Sequence, residues 1–342
     1  MSSIKVGIYA QCIGLGGADG MFLNLMKHGQ NMKCAFYATT QEPIELDWIH
    51  QFIPDLKIIY PAAKIHDDET DIVLAWNVSN IRKYVPRRIP VIEVSQNHCF
   101  AEIESCKSNE NEQLFRVAVS DFARKSFAEH LPVTILHNGI DASRVAPRYG
   151  REHLRQQWGL GDKKVMLFLG RYVVEKHPVE LVQVLKELPE DWVLLYCGHG
   201  PLFKNIKEAV VANGLEDRVR FVHFQYYVGD VLAVADAFVL QSDFEGFPLA
   251  ILESWLSGTP VIVNHLGCMA GYEDYYYATD NQNIADVVQS AYNDEDSIIL
   301  KAQALAWQKF TMAHMGLRWE MYIEECLHVH RQNQFQTTAL GI

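Results

Sequence analysis

The chain has 342 residues, 49% of them apolar and 21% charged, room for about two α/β domains at roughly 150 residues each, and too long for a disulfide-stapled mini-protein. Lys and Arg number 30 against 42 Asp and Glu, a net charge of -12 that lies mostly after residue 140 and argues against nucleic acid as the main partner. The 7 cysteines are scattered without a C-x-x-C pair, which argues against a disulfide framework and a structural zinc site, and no apolar run approaches the 18 or so residues of a membrane span.

The first residues hold one Lys and a short apolar run that ends in Gly14-Leu15-Gly16-Gly17 instead of a small-residue cleavage site. They read as a first strand, Ile4–Ala10, and its glycine loop, not as a signal peptide. Runs apolar on both faces follow at Ile72–Trp76, Val91–Val94, Val117–Val119 and Thr134–Leu136, then at Val165–Leu169, Val193–Cys197, Val219–Val222, Ala237–Leu240 and Val261–Val263, the pattern of buried parallel strands. Helical patterns lie between several of them, at Met21–His28, Asp121–His130, Val179–Leu188, Leu202–Asn213, Pro248–Ser257 and Ile284–Tyr292. Such alternation predicts right-handed βαβ units and two doubly wound Rossmann-like sheets. The alternation pauses after His137-Asn138-Gly139-Ile140-Asp141, and the polar stretch from Ala142 to Arg151 reads as a linker. The expected division is 1–141, 142–315 and a last segment, 316–342, whose helix packs back across the linker onto the first domain.

The most informative segment runs from Ser242 through Asp243, Glu245, Gly246, Phe247, Pro248 and Leu249 to Glu253. A buried strand ends at Leu240, and Pro248 is expected as the first helical residue, where its missing N–H costs nothing. A helix N-terminus after the carboxyl end of a strand favours a phosphate. Glu253 follows about 7.5 Å further along the helix axis, an offset suited to accepting ribose hydroxyls. Glu245, on the turn, would face whatever hangs from the far side of the phosphate; as a bland alternative, both glutamates cap and solvate a surface helix. Two further strand ends point the same way. Gly170-Arg171 through Lys176-His177-Pro178 forms a basic loop from which Arg171 and Lys176 reach one anionic group, and Gly198-His199-Gly200-Pro201 offers bare backbone to a ligand.

In this order the motifs resemble those of the family 4 retaining glycosyltransferases of the GT-B fold (glycosyl transferases group 1). The family's G-R-x-x-x-x-K is matched from Gly170 to Lys176, its G-x-G-P from Gly198 to Pro201, its S-x-x-E-G-F-(G/P)-x-x-x-x-E from Ser242 to Glu253, and its N-G-(V/I)-D at Asn138–Asp141. The resemblance implies two facing Rossmann-like domains with an active site in the cleft between them. It puts Arg171 and Lys176 on the donor diphosphate, Glu253 on the ribose, Glu245 on the donor sugar, and the amides of Phe247 to Leu249 on phosphate. Gly14 to Ala18 resembles the family's first glycine loop, which places Gly16 and Gly17 at the donor. His98 stands where family members have a histidine facing the donor sugar, and a structural role is equally open. His199 replaces the acidic residue often found between the G-x-G-P glycines.

The resulting expectation is a sugar transferred with retention from a nucleoside-diphosphate sugar, a UDP-sugar foremost, to a hydroxyl of a carbohydrate, lipid-linked or small-molecule acceptor. No cofactor and no metal are expected, because cations stand where hard oxygen ligands would be needed. The rival readings are a nucleotide-sugar epimerase of the same fold and a non-catalytic nucleotide-sugar-binding protein. The cysteine usage suits reducing cytosol, with a weak peripheral contact at the cytoplasmic face of a membrane as a further expectation. The cluster Arg82-Lys83 and Arg87-Arg88 is open between a solvated loop and a patch for anionic lipid or a phosphorylated acceptor, and Tyr275-Tyr276-Tyr277 between lining a cleft and covering the second core.

Overall fold

Seven strands of the first half form one all-parallel sheet whose central strands, buried along most of their length, need cover on both faces. They are β1 (Ile4–Ala10), β2 (Met32–Ala38), β3 (Lys57–Ile59), β4 (Ile72–Trp76), β5 (Val91–Ser95), β6 (Phe115–Ala118) and β7 (Thr134–Ile135), in the order β3-β2-β1-β4-β5-β6-β7. Tight pairing is seen from β1 outward, with Ile4 to Ala10 against Met32 to Ala38 on one side and Val6 to Tyr9 against Ile72 to Ala75 on the other. The structure is a computed structural model and describes residues 3–11, 17–29, 31–39, 49, 53–61, 64–65, 70–223, 227–280, 282–294 and 297–340.

The second half repeats the plan with β8 (Lys164–Leu169), β9 (Trp192–Cys197), β10 (Val219–Val222), β11 (Ala237–Leu240), β12 (Val261–Asn264) and β13 (Tyr277–Thr279), ordered β10-β9-β8-β11-β12-β13 and again parallel throughout. In each sheet the strand order reverses beside its first strand, between β1 and β4 and between β8 and β11. Those are the switch points at whose carboxyl ends open α/β sheets bind ligands.

The chain divides into one unit made of residues 1–139 with 312–342 and a second made of 140–311. The division falls two residues before the expected boundary at 141 and four before the one at 315. The final helix, Met312–Leu340, begins four residues before the segment expected to hold it, and its Met312, Met315, Trp319, Ile323, Cys326 and Leu327 enter the first unit's core beside Phe22, Leu25 and Leu74. The second unit closes on itself: Ile140 and Thr311 form a parallel bridge, and the Ile140 N–H donates to the carbonyl of Phe310 at 2.7 Å. Several expectations need correction. Strands β2, β3 and β13 and the helix Phe100–Ser108 were not anticipated, and the helix expected over 121–130 is only Asp121–Arg124. Pro248 is the N-cap, in extended conformation with ψ 118°, so the helix begins at Leu249. Pro178 lies in a turn, and its helix begins at Leu181. The tyrosine triple belongs to the second core, where Tyr276 is buried, Tyr275 lies against Trp255, and the Tyr277 hydroxyl donates to Asp294 at 2.6 Å.

Candidate active site

Three loops leave the carboxyl ends of β8, β9 and β11, and backbone hydrogen bonds hold them together. The Gly170 N–H donates to Cys197 O at 3.1 Å, Tyr172 N–H to His199 O at 2.8 Å, and Leu202 N–H to Tyr172 O at 3.1 Å. The glycines of the G-x-G-P segment are required by that contact. A Cβ added to Gly198 would lie 1.9 Å from the carbonyl oxygen of Gly170, and one on Gly200 within 2.5 to 2.8 Å of the Tyr172 backbone. These glycines therefore admit the neighbouring loop. The third loop is tied on by the Asp243 N–H, which donates to Glu175 O at 2.9 Å, and by His177, whose Nε2 lies 2.7 Å from Asp243. Asn264, at the end of β12, accepts from the Ser242 amide and donates to its carbonyl.

The loop after β11 then buries Gly246, Phe247 and Pro248. The Phe247 ring packs 5.9 Å from Tyr272 and 5.4 Å from Phe310, which anchors the entry to the helix Leu249–Ser257. The first turn of that helix, where the Ile251 and Leu252 N–H groups donate to the Pro248 carbonyl at 3.2 and 3.5 Å, sets the positive end of the helix dipole beside the switch point of the second sheet. Leu249 is half-buried at its first position.

Onto this frame the charged side chains fall in pairs. Lys176 Nζ lies 2.5 Å from Glu245 Oε1, which also accepts from the Ser242 hydroxyl at 3.0 Å, and both side chains of the pair are mostly buried. Sequence reasoning set these two residues to separate tasks; the structure brings them into contact. The Arg171 side chain is 59% exposed and lies 3.7 Å from Glu175. Glu253 is only 3% exposed and sits 2.8 Å from Arg144, itself buried, in the short helix Ala142–Val145 that Asp141 caps by accepting the Ser143 N–H. Arg144 was not anticipated, because the polar stretch around it reads as linker. Nor were His177 and Asp243 as a pair: the bond to Asp243, then that to Glu180, raises the His177 imidazole above its ordinary value.

In the first unit, Gly16 lies outside the described residues, and Gly17 is the first residue of the helix Gly17–His28. His98 follows β5, its Nδ1 3.3 Å from the Ser126 hydroxyl and its ring edge-on to Phe122 at 5.5 Å. Burial, with Lys125 nearby, lowers its pKa. The basic cluster is partly structural: Arg82 donates to the carbonyls of Pro86, Ile89 and Gln113, and Arg87 pairs with Glu112 at 2.9 Å. Among the described residues no group of three or more His, Cys, Asp and Glu is placed to hold a metal ion, and no helix is long and apolar enough to cross a membrane.

Residues 150–302, which contain all three loops, match the family model described as glycosyl transferases group 1. The chain is 26% identical over 197 residues to the UDP-Gal:alpha-D-GlcNAc-diphosphoundecaprenol alpha-1,3-galactosyltransferase of Escherichia coli, covering 55% of this chain and 49% of that one. It is 30% identical over 160 residues to a GDP-mannose-dependent alpha-(1-6)-phosphatidylinositol dimannoside mannosyltransferase of Mycobacterium tuberculosis, covering 45% of this chain and 41% of that one. The chain thus spans about half the length of the curated relatives it matches. Among solved structures, HepE of Anabaena in complex with UDP and glucose superposes with a TM-score of 0.78 at 18% identity, over 94% of this chain and all of that one. The likeness shows the fold, two Rossmann-like α/β domains of the expected GT-B class.

Proposed function

We propose that the chain is a retaining glycosyltransferase that moves a sugar from a nucleoside-diphosphate sugar, a UDP-sugar foremost, to an acceptor hydroxyl. The observation that carries this reading is the Lys176–Glu245 pair beside the N-terminus of the helix Leu249–Ser257. A mostly buried cation already balanced by a carboxylate can exchange that partner for a diphosphate. The carboxylate so released is then free to accept a hydroxyl of the sugar attached to it. Lys176, Arg171 and the first-turn amides would stabilise the charge developing on the leaving diphosphate. Glu253, held by Arg144, would accept the ribose hydroxyls. In a front-face reaction the leaving diphosphate takes the acceptor's proton, and no protein base is assigned. Cations at the diphosphate support a reaction independent of metal.

The names of the relatives support the acceptor class: one acts on a diphosphoundecaprenol-linked sugar and another on a phosphatidylinositol dimannoside. A glycan or lipid-linked acceptor, met at the cytoplasmic face of a membrane, is the corresponding proposal here. The two relatives differ in nucleotide, and the UDP preference draws on the galactosyltransferase and on HepE. The test is product analysis with UDP- and GDP-sugars, with and without lipid-linked and free glycan acceptors. Transfer that requires acceptor is expected; conversion of the donor sugar without acceptor would instead mark an epimerase, and binding without turnover a non-catalytic protein.

A further inference from the structure

The loop that carries His98 is built around a buried carboxylate held by neutral donors. Glu102, in the first turn of the helix Phe100–Ser108, is 4% exposed. Its Oε2 accepts the backbone N–H groups of Gln96 and Asn97 and the Ser95 hydroxyl, each at 2.9 Å, and its Oε1 accepts the Trp76 indole N–H at 3.1 Å. Burial pushes this carboxyl above its ordinary range while the four bonds pull it back. Trp76 ends β4 and Ser95 ends β5, so one side chain fastens two neighbouring strand ends beside the switch point of the first sheet.

From that cage the bonds run on to the imidazole. Asn97 Oδ1 accepts the His98 backbone N–H at 2.7 Å. The Asn97 carbonyl accepts the Ser126 hydroxyl at 2.8 Å, and the same Ser126 oxygen lies 3.3 Å from His98 Nδ1. The ring is thus located through Asn97 at its backbone and through Ser126 at its side chain, and both lead back to Glu102.

We propose that Glu102 is the positioning residue for His98, fixing an imidazole on which transfer depends without touching substrate itself. The inference rests on the transferase reading above. An amide cannot stand in for the carboxylate, because the NH2 of a glutamine would point a donor at donors, whereas an aspartate keeps the charge and loses one methylene of reach.

The test compares the full chain with Glu102→Gln, Glu102→Asp, Ser126→Ala and His98→Ala. Glu102→Gln is expected to lower turnover about 100-fold, the scale of a small misplacement in an active site, while leaving the KM for the nucleotide sugar near its wild-type value. By NMR the His98 imidazole should titrate at a different pH in this variant from that in the wild type, because its surroundings change. Glu102→Asp should recover part of the rate, and adding Glu102→Gln to His98→Ala should slow that variant no further. If Glu102→Gln fails to fold, Ser126→Ala carries the same test through the hydroxyl alone, with a smaller loss and the same direction of titration shift. An unmoved His98 titration in these variants, or a full turnover rate, overturns the proposal, as does a His98→Ala variant with wild-type turnover. Absence of transfer by the wild type with any nucleotide sugar fails the transferase reading instead, and the titration then decides the positioning by itself.

Discussion

After β8 and β11 the acidic side chains lie against basic ones, Glu245 on Lys176, Asp243 on His177, and, in the helix that follows, Glu253 on Arg144. At the ends of β4 and β5, Glu102 is held by two backbone amides, a hydroxyl and an indole. The difference lies in what each arrangement can give up. A lysine that leaves a carboxylate for a phosphate exchanges one charge-assisted bond for another, so the second sheet's loops can accept an anionic ligand with little reorganisation. Amides built into a loop have no such alternative, and a buried polar group left unpaired costs about 1–3 kcal/mol. The first arrangement suits binding and release, and the second suits fixed geometry.

Four experiments would break or sharpen that contrast. Glu253→Ala is expected to cost the most, because it takes the carboxylate out of a buried pair with Arg144; breaking a buried pair on one side costs about 3–5 kcal/mol. Denaturant unfolding should show the loss, and Arg144→Met in the same chain should restore much of it. A single variant as stable as the wild type would mean that the pair is not a buried one. Lys176→Ala should lower the transfer rate on the order of 100-fold, as loss of one oxyanion-stabilising donor does. Glu245→Gln should lower transfer while binding free UDP at least as tightly as the wild type by calorimetry, since Lys176 then has no competitor. Weaker UDP binding there would show that the two residues do not trade partners.

The third experiment is a pH series on stability. The His177 value is raised in the folded state by Asp243 and Glu180. Its contribution is therefore complete below the ordinary 6.5 and is lost as pH rises through the raised value. The melting temperature of the wild type should fall towards that of His177→Gln across that window, and parallel curves would remove the tie between the two loops. The smallest effect expected is from chelator, which should leave the rate nearly intact; abolition of activity that manganese restores would overturn the reading of cations in place of a metal.

The strands were legible wherever both faces are buried, as in β8 and β9, since an unbroken apolar run needs no partner to be recognised. The helix Phe100–Ser108 was not, because the face it buries carries Glu102, Ser105 and Cys106 and so shows no apolar period. Strands β3 and β13 have three residues each, too short for a period to register. In the candidate site, Lys176, Glu245 and Glu253 were legible because each stands at a fixed offset from a strand end. Arg144 and the bond between His177 and Asp243 were not, because each depends on a partner far along the chain. The glycines of G-x-G-P were legible as a motif, but the loop packed against them was not, because it comes from another strand end.

The parallel bridge between Ile140 and Thr311 bears on the order in which the chain folds. The first unit's core includes Trp319 and Ile323, which are separated from the rest of that core by the whole of residues 140–311. Until that stretch folds, bringing the last helix home means closing a very long flexible loop, at an entropy cost that grows with the logarithm of its length. Once it has folded, residues 140 and 311 are neighbours and the remaining gap is short. The half of the molecule that leaves the ribosome first is therefore completed last, and on emerging it exposes an apolar surface around Phe22 and Leu25 that waits for the final helix.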